Sequence, residues 1–101
     1  MEEKMKTLYI ISRSPFLRKE GKLPFELADD SDGILLIQNG VLLCNATPEW
    51  MKDIVDRAVS SNVKIYACKE DVEARGISSS KFDLLSYDEI IDLFEKYDRI
   101  A

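Results

Sequence analysis

The sequence predicts an α/β domain built on a parallel sheet of about four strands, with helices layered on its faces. Three observations carry that expectation. Short apolar runs alternate with segments of helical spacing from one end of the chain to the other. One run, Gly33–Gln38, is almost continuously apolar, as a strand covered on both faces must be. Helix-start chemistry sits between the strand-like runs, so the order reads as strands and helices in alternation. That order implies parallel strands joined by right-handed crossovers.

Each element has a local reason. Lys6–Ser12 is rich in β-branched and large apolar residues and reads as the first strand. Arg13-Ser14-Pro15-Phe16 ends it, because proline continues neither element. Residues 17–32 read two ways. Leu23, Phe25 and Leu27 alternate like a strand, while Phe25–Ala28 fits a helical turn with Pro24 in the first turn. Gly33–Gln38 is the second strand, and Asn39-Gly40 a tight bend beyond its end. Thr47-Pro48-Glu49 predicts a helix start with Thr47 as N-cap. Met51, Ile54, Val55, Ala58 and Val59 then recur on one helical face. Val63–Ala67 is the third strand, Lys69–Arg75 a short helix stopped by Gly76, and Phe82–Leu85 a short fourth strand. Ser86 and Glu89 form a capping box ahead of a last helix whose apolar face is Ile90, Ile91, Leu93, Phe94 and Tyr97.

Composition narrows the function. One hundred and one residues predict a single domain over 1–101 with one core. The net charge of -5 argues against broad nucleic-acid binding, though Arg13, Arg18, Lys19 and Lys22 make a small basic patch. The first residues carry no signal-peptide pattern and no run is long enough to span a bilayer, so a reduced, cytoplasmic protein without membrane contact is expected. With no histidine, neither a Ser-His-Asp nor a Cys-His site can form, and the two cysteines make no zinc motif. No cofactor or metal is expected, and no phosphate-cradling glycine motif is present.

The candidate site centres on Cys68, which stands where the third strand turns into the short helix. Ligands and chemistry collect at the carboxyl edge of open α/β sheets. A helix start and the adjacent Lys69 favour a thiolate there, whereas Glu70 and Asp71 oppose one. The same thiol also reads as a small buried hydrophobe. Cys44, beyond the second strand, is a weaker candidate: a second thiol, a disulfide partner of Cys68, or an apolar contact. Arg13 and Ser14, with Ser12, follow the first strand at that edge and are candidates for binding an anion, or are a solvated turn. Glu70, Asp71 and Glu73 read as a solvated face, and Trp50, Met51 and Tyr97 as packing or subunit contacts.

Four blocks resemble the DsrH/TusB family of small sulfur-relay subunits, in family order: SRSPF, ILLIQNGV, KIYACKEDVEARGI and LLSYDEIIDLFEKYDRI. The resemblance implies a flavodoxin-like, three-layer α/β/α fold of the DsrE/DsrF/DsrH superfamily. It implies oligomers, either a homodimer or a mixed assembly with DsrE/TusD-like and DsrF/TusC-like subunits. It also implies transfer of persulfide sulfur between cysteines of sulfur-carrier proteins, toward tRNA thiolation or sulfur oxidation. Two departures stand out. The first-helix cysteine of some members falls near Pro24, and Cys68 replaces a usual leucine. Cys68 and Gly76 nevertheless keep the C-(x)7-G spacing of the active cysteine in the DsrE/TusD branch. Two roles follow: a subunit whose Cys68 accepts sulfur, or a non-catalytic subunit that positions a partner's cysteine.

Overall fold

The structure, a computed structural model, describes residues 5–14, 22–78 and 80–101. Five parallel strands form one sheet: β1 (Thr7–Ile11), β2 (Gly33–Leu36), β3 (Lys64–Cys68), β4 (Asp83–Leu85) and β5 (Arg99–Ile100), in the order β4-β3-β2-β1-β5. Four α-helices connect them: α1 (Lys22–Leu27), α2 (Lys52–Ser60), α3 (Lys69–Ala74) and α4 (Tyr87–Phe94). Two 3-10 stretches, Gln38–Cys44 and Glu49–Met51, lead from β2 into α2.

The strand order fixes the layers. From β1 to β4 the chain steps across the sheet in one direction. It then crosses back over the sheet to place β5 on the far side of β1. Crossovers of one hand that travel in opposite directions lie on opposite faces. Accordingly α1, α2, α3 and the 3-10 stretches share one face, and among the described residues α4 is the helix on the other. The strand side chains divide with strict alternation. Ile11, Ile34, Leu36, Ile65 and Ala67 pack beneath Phe25, Val41, Met51, Val55 and Val72. Leu8, Leu35 and Cys68 pack beneath Ile90 and Leu93 of α4.

The expected elements are present with three corrections and one open reading resolved. The sheet has five strands rather than about four. β5 is two exposed residues held by register, with Thr7 opposite Arg99 and Leu8 opposite Ile100, so no apolar run announces it. Residues 22–27, which read two ways in the sequence, are helical. The helix expected to begin at Thr47 opens as the 3-10 turn Glu49–Met51, with Pro48 at the cap position. Thr47 Oγ1 instead accepts a hydrogen bond from Lys81 Nζ at 2.6 Å. Last, Val59, Ile91 and Phe94, expected in the core, are exposed.

Three features position the ends of the strands. Gly76 ends α3 in the left-handed conformation, at φ 67°. Its N–H donates to Glu73 O and that of Ile77 to Val72 O, which is the Schellman arrangement. Gly40 is required by a close approach, since a Cβ there would run into the carbonyl of Ile11. At the opposite edge the buried carboxylate of Asp32 accepts from the N–H groups of Thr7 and Asp29, both at 2.9 Å, and ties β1 to the entry of β2.

Candidate functional site

Cys68 ends β3 directly opposite Leu85, which ends β4. From Cys68 the chain turns into α3 on one face, and from Leu85 it turns into α4 on the other. Adjacent strands whose connections part in this way leave a crevice at their carboxyl ends, where ligands of open α/β sheets bind. Between the described pairs of neighbouring strands, only β3 and β4 part like this, and the thiol stands at that point.

The crevice is closed rather than open. Cys68 has 0% of its surface exposed. Its Sγ donates weakly to Glu70 Oε1 at 3.8 Å, while Glu70 Oε2 accepts from the Tyr87 N–H at 3.3 Å. One carboxylate therefore spans the gap from the start of α3 to the start of α4. Asp71 is held behind it by the Gln38 N–H at 2.7 Å and by Arg75 at 3.7 Å. An apolar cavity of about 270 Å³ lies alongside, walled by Ile10, Ile37, Asp71, Tyr87 and Phe94.

These surroundings keep the thiol protonated. Burial pushes Cys68 above the ordinary thiol value, and the Asp71 carboxylate adds to the rise against the backbone N–H groups that lower it. The Asp71 charge, and then the Cys68 group, likewise raise the Tyr87 phenol. Lys69 is exposed, and its charge helps to lower the Glu89 carboxyl. The expected thiolate-favouring effect of Lys69 and the helix start is therefore outweighed by burial and carboxylates.

The remaining candidates are dispersed. Cys44 is buried on the other face of the sheet, among the residues beneath α1 and α2. Both cysteines are free, and the sheet itself separates them, so they form no disulfide pair. Burial raises the Cys44 thiol, with Ser80 and Lys81 partly offsetting the rise. Arg13 is exposed and Ser14 buried at the end of β1, on the same edge as Cys68 but two strands away. Pro15, Phe16, Arg18 and Lys19 lie outside the described residues. Trp50 and Met51 pack into the core of the α2 face. Tyr97 closes over Gly33, where a Cβ would meet its ring at 2.7 Å. Sequence reasoning missed Tyr87 and, for Glu70, the bridge it makes to the start of α4. Only their positions, each just inside the helix that follows a strand end, mark them.

The fold and this site define a small parallel α/β protein with a shielded thiol at its switch point. Residues 13–100 match the family model described as "DsrH like protein". Protein TusB of Cronobacter sakazakii is 34% identical over 93 residues, covering 89% of this chain and 93% of its own. Protein TusB of Pectobacterium parmentieri is 32% identical over 89 residues, covering 85% and 88%. The solution NMR structure of protein Tm0979 from Thermotoga maritima superposes with a TM-score of 0.65 at 34% identity, covering 88% of this chain and 91% of that one. The chain belongs to the DsrH family, and so stands among the sulfur-relay subunits.

Proposed function

We propose that this chain serves a cytoplasmic sulfur-relay assembly as the subunit that holds and positions a partner's persulfide cysteine, without itself carrying sulfur. The partners are DsrE/TusD-like and DsrF/TusC-like subunits, and the sulfur moves onward between protein cysteines toward tRNA thiolation or sulfur oxidation. One observation carries the reading. Cys68 occupies the place where chemistry belongs in this fold, yet it is buried and flanked by Glu70 and Asp71. A relay cysteine must meet a partner sulfur as a thiolate, and both burial and carboxylates oppose that. No helix among the described residues is long and apolar enough to cross a membrane, which suits a subunit of such an assembly.

A second reading has its own support. The C-(x)7-G spacing and the switch-point position suit Cys68 as a carrier, provided the start of α4 moves aside. Incubation with a persulfide donor followed by mass spectrometry separates the two. The positioning role predicts Cys68 without the adduct of about 32 Da that one sulfur adds. It also predicts that Cys68→Ser leaves transfer through the assembly intact, while omission of the chain abolishes it. A loaded Cys68, with transfer lost in Cys68→Ser, would instead establish the carrier.

A further inference from the structure

The sheet has a second edge, opposite the one that holds Cys68. Lys64 begins β3 where Cys68 ends it, and beside Lys64 lies a cavity of about 380 Å³. Lys6 lines it from ahead of β1, Ser31 from ahead of β2, and Lys96 and Tyr97 from the turn between α4 and β5. These strands run parallel, so their starts gather residues that are far apart in sequence.

The lining is made of donors. Lys6, Lys64 and Lys96 bring three ammonium groups to one cavity, and among the described residues no carboxylate lines it. Nor, among those residues, does any of the three ammonium groups form an ion pair. Carboxylates of this edge are engaged by other donors. Asp98 Oδ2 accepts from the Lys6 N–H at 2.8 Å, Asp30 Oδ1 from Asn62 Nδ2 at 2.9 Å, and Asp32 from Thr7 and Asp29. The cavity is therefore positive in a chain of charge -5. Tyr66 and Tyr97 complete it. Burial first, and then the Tyr66 hydroxyl, push the Tyr97 phenol above its ordinary value, so it stays a neutral donor.

A lining of this kind takes an oxyanion, and lysine binds phosphate as a point charge. A phosphate monoester carries a charge of about -1.5 to -2 at neutral pH, more than a diester or a carboxylate. The volume falls within the range of about 300–1,000 Å³ of small-molecule sites, so an organic body fits beside the phosphoryl group. The negative charge of the whole chain opposes a long polyanion such as RNA. We propose that this cavity binds a small phosphate monoester, with Lys6, Lys64 and Lys96 around the phosphoryl oxygens and the Tyr66 and Tyr97 rings beside the organic body. The site lies at the far end of β3 from Cys68, so the inference stands apart from how sulfur moves.

NMR titration of the intact chain with phenyl phosphate, dimethyl phosphate and a single-stranded RNA oligonucleotide tests it, with circular dichroism confirming that each variant is folded. Phenyl phosphate is expected to shift the ring signals of Tyr66 and Tyr97. Dimethyl phosphate, a diester with one charge, should bind at least about threefold more weakly. The RNA should leave those signals in place. Lys64→Gln/Lys96→Gln should weaken phenyl phosphate binding more than about tenfold. Lys52→Gln/Lys81→Gln removes the same net charge from the groove beside α2 and should change it less than about twofold. Unmoved tyrosine signals, equal binding of the diester, equal losses in the two variant pairs, or RNA binding that needs Lys64 and Lys96 would overturn the proposal. None of these outcomes depends on the persulfide state of Cys68.

Discussion

The two faces of the sheet are built differently, and each holds one of the two thiols. The α1, α2 and α3 face is continuous: three helices and two 3-10 stretches seal it, and Cys44 is one more apolar contact within it. Among the described residues the other face rests on α4, with Ile10, Ile37, Tyr66 and Leu85 only partly covered. Cys68 belongs to that thinner layer. Burial raises both thiols, but the shield over Cys68 depends on a single eight-residue helix and one bridging carboxylate. The same fold thus contains a thiol locked in the core and a thiol behind a door.

The sharpest way to break this comparison is to empty one face. Phe25→Ala opens the sealed face and should cost about 3–5 kcal/mol in chemical denaturation. Ile91→Ala, on the outer side of α4, should stay within about 0.5 kcal/mol. A large loss at Ile91 would mean that α4 is covered in the free chain. Next in size are the glycines. Gly40→Ala presses a Cβ against the backbone of Ile11, 3.0 Å from its carbonyl carbon, and should cost about 2–3 kcal/mol. Gly33→Ala meets the ring end of Tyr97 at the rim of the thin face and should cost about 1–2 kcal/mol, because a side chain yields more readily than backbone. Equal losses would argue that the two faces are equally rigid.

Smaller still is the α4 cap. The Glu89 N–H donates to Ser86 Oγ at 3.3 Å, and the Ser86 N–H donates to Glu89 Oε1 at 3.1 Å. Ser86→Ala should cost about 1 kcal/mol. The Ser86 N–H first, and then the Ser86 hydroxyl, hold the Glu89 carboxyl below its ordinary value. The stabilisation is therefore complete above the unfolded value of about 4.3 and fades as pH falls through the lower folded one. Stability measured against pH should show that acid-side loss, and Ser86→Ala should reduce it without abolishing it, because the Ser86 N–H that holds the carboxylate remains.

Most of the fold was legible because periodicity and punctuation agree. The β-branched and apolar runs of β1 and β3, the glycine stop after α3 and the Ser86 capping box each state a local rule, and the structure obeys them. What was illegible depends on the layer count. Helical spacing placed Ile91 and Phe94 on an apolar face, but the spacing does not say that a single helix covers this side and leaves half its stripe outside. β5 is too short and polar to signal itself, and it exists because Arg99 and Ile100 find the free edge of β1. At the site, Cys68 was found by its place after a strand. The meaning of Glu70 was not, because a carboxylate in a first helical turn looks solvated until α4 arrives from 17 residues away to share it.

The central claim is that Cys68 stands protonated and shut in the free chain. Its raised folded pKa has a thermodynamic sign. The contribution is present below the unfolded thiol value of about 8.5 and is lost as pH rises through the folded one. The most direct measurement is the alkylation rate of Cys68 in the native chain as a function of pH, read by mass spectrometry site by site. The account predicts negligible labelling at neutral pH and a midpoint above about 8.5, with Glu70→Gln labelling faster as the bridge to Tyr87 weakens. Rapid labelling of the wild type at neutral pH, with a midpoint below that value, would contradict it.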